Sequence, residues 1–236
     1  MARGKSKRMG VSPHNPTGTN SIQKGVVLLL VSDVQIFQEF EEWVASSVEK
    51  EGMSLLHVSL NGGVSLDSQG LPEALEVLNI PDVSDFDNEI ELTKRTLDAL
   101  SKMGRFDRVF FDPLSPFAEM FQEDSAPVHI MKELISLLEH RGTLGYFCLS
   151  LDSHDNRTIA ECKDLADVCI EVTHQDDLLL IQPLRARGIY TKDFFQARAY
   201  RNWLNVGEGA QSHSGWSPTI CTAVGVREIP EPPQSR

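Results

Sequence analysis

Long apolar runs, paired cysteines and excess basic charge are all missing from this chain, and each absence narrows what it can be. No stretch approaches the roughly 18 apolar residues that a membrane helix requires, so membrane insertion is not expected. The opening MARGKSKRMGVSPHNPTGTN has no apolar segment of the kind a signal peptide needs. The four cysteines, Cys148, Cys162, Cys169 and Cys221, form no CxxC pair and have no metal-ligand spacing. Cys148 and Cys169 stand in apolar runs and read as small buried residues. A reducing, cytoplasmic setting is the expectation. The net charge is −12. Residues 1–24 hold Arg3, Lys5, Lys7, Arg8 and Lys24 and no acid, so the rest of the chain carries −17. Phosphate repulsion from so acidic a body argues against nucleic acid as the main partner.

What is present is an alternation of short apolar runs and helical patterns. Of the 236 residues 41% are hydrophobic and 24% charged, enough for one buried core. GVVLLLVS (25–32) reads as a buried strand. Residues 33–52 follow as a helix with Val34, Phe37, Phe40, Val44 and Val48 on one stripe. MSLLHVSL (53–60) is a second strand, 61–84 is turn-rich, 87–104 is a helix and DRVFF (107–111) a strand. Then come a helix over 126–142, a strand over 143–151, a short helix over 156–166, and strands over 167–173 and 177–185 that could pair. Strands alternating with helices imply an α/β fold, a mostly parallel central sheet covered by helices on both faces. The expected organisation is a basic tail (1–21), one domain (22–205) and a polar, proline-containing tail (206–236).

Ligands of such sheets bind beyond the carboxyl ends of the strands, so the residues at those ends decide the chemistry. After the first strand comes SDVQIFQEF, with no glycine and no lysine to cradle a phosphate. Ser32 and Gln35 have the spacing of a capping box, and Asp33 puts a negative charge at the positive end of the helix dipole. Ser32, Asp33, Val34 and Gln35 therefore read as a sealed helix start. After the second strand, Asn61 opens a turn and cannot take a proton. Asp112 ends the RVFFDPLSP run, where it could hold a magnesium ion or cap a turn beside Pro113. Asp152, His154 and Asp155 could serve metal or acid–base chemistry, or cap the next helix. Arg185 and Arg187 point to one side of an extended segment, fit either to clamp a phosphate or a neighbour's carboxylates, or to pair internally.

The order of these elements, RVFFDPLSPF, the stretch from Leu137 to Val172 and LRARG together resemble the RecA superfamily, and within it the KaiC-like ATPases of archaea and bacteria. The resemblance spans roughly residues 22–200 and implies a RecA-like three-layer sandwich. It puts Asp112 at the Walker B position, and Arg185 and Arg187 where relatives reach the nucleotide of an adjacent subunit. Relatives carry GxxxxGK[ST] after the first strand and a glutamate after the second. This chain has Ser32–Phe40 and Asn61 there. The combined expectation is a degenerate member that neither binds nucleotide nor holds a metal, a regulatory or protein-interaction module, with archaeal signal transduction as its expected setting, meeting a protein partner or its own copies through Arg185 and Arg187. The alternative is weak or partner-completed ATP and magnesium binding through Asp112 and the two arginines.

Overall fold

The computed structural model describes residues 25–60, 75–80, 86–175, 178–186, 189–190, 195–200 and 203–205. Both expected tails, Asn61, Arg187 and Cys221 lie outside them. Seven consecutive apolar or glycine residues form β1 (Gly25–Val31), every one buried. A strand buried on both faces belongs in the middle of a parallel sheet, and β1 pairs in parallel with β5 (Leu144–Ser150) and β6 (Val168–Gln175). Beyond β5 lie β4 (Arg108–Phe111), β2 (Leu55–Ser59) and the edge strand β3 (Leu75–Asn79), all parallel. Beyond β6 the direction reverses. There β7 (Leu178–Ala186) is antiparallel and is followed by β9 (Phe195–Tyr200) and β10 (Trp203–Asn205), with β8 (Ile189–Tyr190) paired to β7. The expected pairing of the last two predicted strands is therefore real.

Alternation along β1 divides the core in two. Val27, Leu29 and Val31 face one helix, α1 (Val34–Lys50), whose Ile36, Phe37, Phe40, Trp43, Val44 and Val48 are buried against them. Val34, the first member of the predicted stripe, stays 44% exposed because it sits at the helix mouth. Val26, Leu28 and Leu30 face α2 (Glu89–Lys102), α3 (Ser115–Met120), α4 (Ala126–Arg141) and α5 (Asn156–Leu165). Each fully buried leucine on either face stabilises the fold by roughly 1.5–3 kcal/mol. Neighbouring strands β4 and β5 stack aromatics on both faces, Phe110 on Tyr146 with ring centroids 4.2 Å apart and Phe111 on Phe147 at 4.6 Å. The long α4 lies close to β5 because Gly145 has no side chain; a Cβ there would stand 2.3 Å from Leu138 Cδ1.

Three departures from the expected elements have physical reasons. Strand β3 lies within the segment read as turns. Its LEVLN includes Glu76 and Asn79, which strands disfavour, and little of it is buried, so the period-2 signal is weak. Helix α3 is only six residues long, below what periodicity can detect. Strands β8–β10 continue an antiparallel edge past the last predicted strand.

Candidate functional site

The carboxyl ends of β1, β2, β4 and β5 form one edge of the sheet, and β5 separates β1 from β4. At β1 the turn into α1 has only two residues, Ser32 and Asp33. Asp33 Oδ1 accepts from the Gln35 N–H at 2.7 Å. The seal is therefore made one residue later than the predicted Ser32–Gln35 box. The Gln35 side chain instead reaches Glu39 along the helix, 3.3 Å away.

Asp112 stands just past the end of β4 and is 2% exposed. α3 begins three residues on, and its N-cap position is Leu114, without a side-chain cap bond. Both carboxylate oxygens turn sideways to β2. Oδ2 accepts from the Leu60 N–H at 2.9 Å and from Ser59 Oγ at 3.1 Å, and Oδ1 faces His57 Nε2 at 3.0 Å. The other ring nitrogen, His57 Nδ1, lies 2.5 Å from Glu41 Oε1 on α1. All three side chains are about 2% exposed. Burial works against charge on this ring, yet the hydrogen bonds from Asp112 and Glu41 and their charges outweigh it, lifting the His57 pKa to about 9. His57 is thus an imidazolium donating from both nitrogens, and has no lone pair with which to act as a base. Cys148, on the same face, has its thiol pushed up by burial first and then by Glu41 and Asp112. Burial likewise pushes Cys162 and Cys169 up to about 12, so none of the three is a ready thiolate.

The sequence reading singled out Asp112, gave no role to Glu41 on the first helix, and placed His57 only within the apolar strand MSLLHVSL. The signal was a histidine interrupting LLHVS in a buried run. Its meaning needed the β2–β4 adjacency, which the sequence order hides.

A second constellation lies on the opposite side of the β4 end. Ser115 Oγ donates to His154 Nε2 at 2.9 Å, and His154 Nδ1 donates to Asp124 Oδ1 at 3.0 Å. Asp124 Oδ2 accepts from Thr158 Oγ1 at 2.8 Å, and the His154 bond, first among several, holds its carboxyl below the usual range. The connectivity is that of an activated serine. The surroundings are not. The residue after Ser115 is Pro116, which has no N–H for an oxyanion, and the nearby Ser150 N–H already donates to Ser115 Oγ at 2.7 Å. The His154 side chain is fully enclosed. This network ties the β4–α3 turn to the β5–α5 loop. Asp155 does what the loop reading expected, capping α5 by accepting from the Thr158 N–H at 2.7 Å. Sequence spacing could not assemble this network, because its serine and aspartate come from the turns around α3.

Arg185 on β7 donates from Nη1 to the Lys163 carbonyl at 2.8 Å and lies 3.2 Å from Asp164 Oδ1, joining β7 to the end of α5. Among the described residues, no helix is long and apolar enough to cross a membrane.

No protein-family model matches the chain, and no curated protein does. Its shape is similar to that of a KaiC-like protein from the hyperthermophilic archaeon Pyrococcus horikoshii OT3, with a TM-score of 0.57 at 12% identity, over 76% of this chain and 88% of that one. At that identity the likeness is one of architecture, and the architecture is a RecA-like α/β three-layer sandwich.

Proposed function

We propose that this RecA-like sandwich hydrolyses no nucleotide and works as a regulatory, protein-interaction module, engaging a protein partner or further copies of itself. The observation that carries the reading is the two-residue turn between β1 and α1. A phosphate cradle needs a longer, glycine-rich loop whose amides point inward. Here the turn is Ser32–Asp33, and the Asp33 carboxylate accepts from the amide of Gln35. Asp112 supports the same conclusion, since its oxygens face His57, Ser59 and the Leu60 amide rather than open space where a magnesium ion could sit.

The test is a thermal-shift titration of the full chain with Mg-ATP. A ligand at about 100 times its Kd stabilises by roughly 2.7 kcal/mol. We expect no shift at millimolar nucleotide. A saturable shift would replace this reading with partner-independent ATP binding. The contact expected at Arg185 and Arg187 is tested by light scattering over a range of concentrations. A self-associating chain whose mass falls when both are changed to alanine supports the homotypic form, and a monomer that ignores the change removes it.

A further inference from the structure

On the face away from α1, the start of α2 meets the α3–α4 turn. Glu89 opens α2, Glu123 stands in the turn and His129 lies in the first part of α4. One donor atom from each lies within 4.8 Å of the others. His129 Nδ1 is 3.4 Å from Glu89 Oε1 and 3.9 Å from Glu123 Oε1. These separations are long for hydrogen bonds, whose N–H···O distances centre near about 2.9–3.0 Å. They are close to the spacing of donors around a tetrahedral zinc ion, about 3.3 Å for bonds of about 2.0–2.1 Å.

A second observation concerns charge. The Glu89 side chain is only 10% exposed, and among the described residues its one side-chain partner is His129, 3.4 Å away. A carboxylate nine-tenths out of water with so marginal a partner is costly unless a cation faces it. Its place in the first turn of α2 offsets part of that cost through the helix dipole. Glu123 adds a second carboxylate rather than a counter-charge, and Ser125 Oγ orients it by donating to its Oε1 at 2.5 Å.

From this geometry we propose that Glu89, Glu123 and His129 bind one divalent transition-metal ion of the zinc class. One imidazole and two carboxylates suit zinc better than magnesium, which favours oxygen-only shells. Glu123 and His129 are 44% and 47% exposed as side chains, so they have the freedom to close the remaining distance. Three protein ligands leave a fourth position open, as in reactive rather than structural zinc sites. Beside it runs a groove of ≈ 540 Å³ between α2 and α4, to which Glu89 and His129 both contribute along with Thr93, Lys94, Leu97 and Lys132. Glu133 lines the groove as well, so its two lysines are balanced by Glu89 and Glu133. The site stands apart from the β1–α1 turn and does not depend on the function proposed above.

The experiment is calorimetric titration of the metal-stripped full chain with zinc chloride, alongside the visible spectrum of the cobalt-loaded chain. We expect one zinc per chain, a cobalt spectrum free of thiolate charge transfer, and affinity reduced at least ~10-fold by H129A and by E89Q. Circular dichroism and melting of both variants establish that they remain folded. Absence of stoichiometric binding overturns the proposal. So does unchanged affinity in both folded variants, or a thiolate band that assigns the metal to cysteine.

Discussion

Asp112 and Ser115 are three residues apart at the end of the same strand, and each anchors a histidine network, yet the two networks are built for different purposes. His57 lies between two carboxylates, all three groups shut away from water. His154 lies between a carboxylate and a hydroxyl, with the Asp124 side chain 42% exposed. Two buried carboxylates make a lasting imidazolium, which fixes α1 to the sheet. One carboxylate and one hydroxyl fix a tautomer, in which Nε2 accepts from serine. The comparison teaches that connectivity alone does not define a site. The network with the appearance of a catalytic triad has Pro116, without an N–H, next to its serine and the Ser150 N–H already bonded to Ser115 Oγ, and the one at the end of β4 has the Asp112 carboxylate occupied by protein donors.

The largest way to break the first network is to remove its cation. His57→Ala leaves Glu41 and Asp112 as buried carboxylates without the charge between them, and Glu41 Oε2 already has no hydrogen-bond partner. Removing one member of a buried ionic group destabilises by about 3–5 kcal/mol. Urea denaturation should record a loss of that size. Glu41→Gln, which keeps the His57–Asp112 pair, should lose less. Equal losses would mean the three groups do not act as drawn.

Proton linkage gives the next largest effect. The folded-state pKa of His57 is about 9 against an ordinary 6.5, so the folded protein binds this proton more tightly than the unfolded chain does. The stabilisation is fully present below about pH 6.5, fades as the pH rises, and is gone above about 9. The total is on the order of 3 kcal/mol, from about 1.4 kcal/mol per pKa unit. Melting temperature should therefore decline between pH 6.5 and 9. His57→Gln should flatten that decline, and an unaltered slope would assign it to other groups.

Much of the architecture was legible because its signals are local. β1 announces itself by GVVLLLV, α1 by apolar residues three and four apart, and the closed turn by the missing glycines and lysine after Val31. The networks were not legible, because each joins elements far apart in sequence. His57 meets Asp112 only because β2 pairs with β4. Ser115 meets His154 only because the chain returns through α4 and β5. Asp112 shows the boundary between the two kinds of information. Its position at a strand end could be read from RVFFDP, but its bonds across the sheet to His57, Ser59 and Leu60 could not.

A smaller effect sharpens the contrast from the other side. Ser115→Ala removes one donor to His154 and the acceptor for the Ser150 N–H, a loss of about 1–2 kcal/mol for bonds of this kind. If the network is a clamp, the wild-type chain should form no adduct with a fluorophosphonate, read by intact mass, while Ser115→Ala lowers the melting temperature. Stoichiometric labelling at Ser115 would make it a nucleophile.

The smallest expected effect falls on the turn that carries the functional reading. Asp33→Ala deletes the acceptor for the Gln35 N–H and should destabilise by about 1 kcal/mol, the usual loss for a helix cap. The freed amide and the removed negative charge also make the helix start more hospitable to an anion. A two-residue turn still cannot encircle a phosphate, so Mg-ATP should leave the variant's melting temperature unchanged, as in the wild type. If nucleotide instead stabilised only the variant, the cap alone would be what keeps phosphate out, and the length of the turn would not be the barrier.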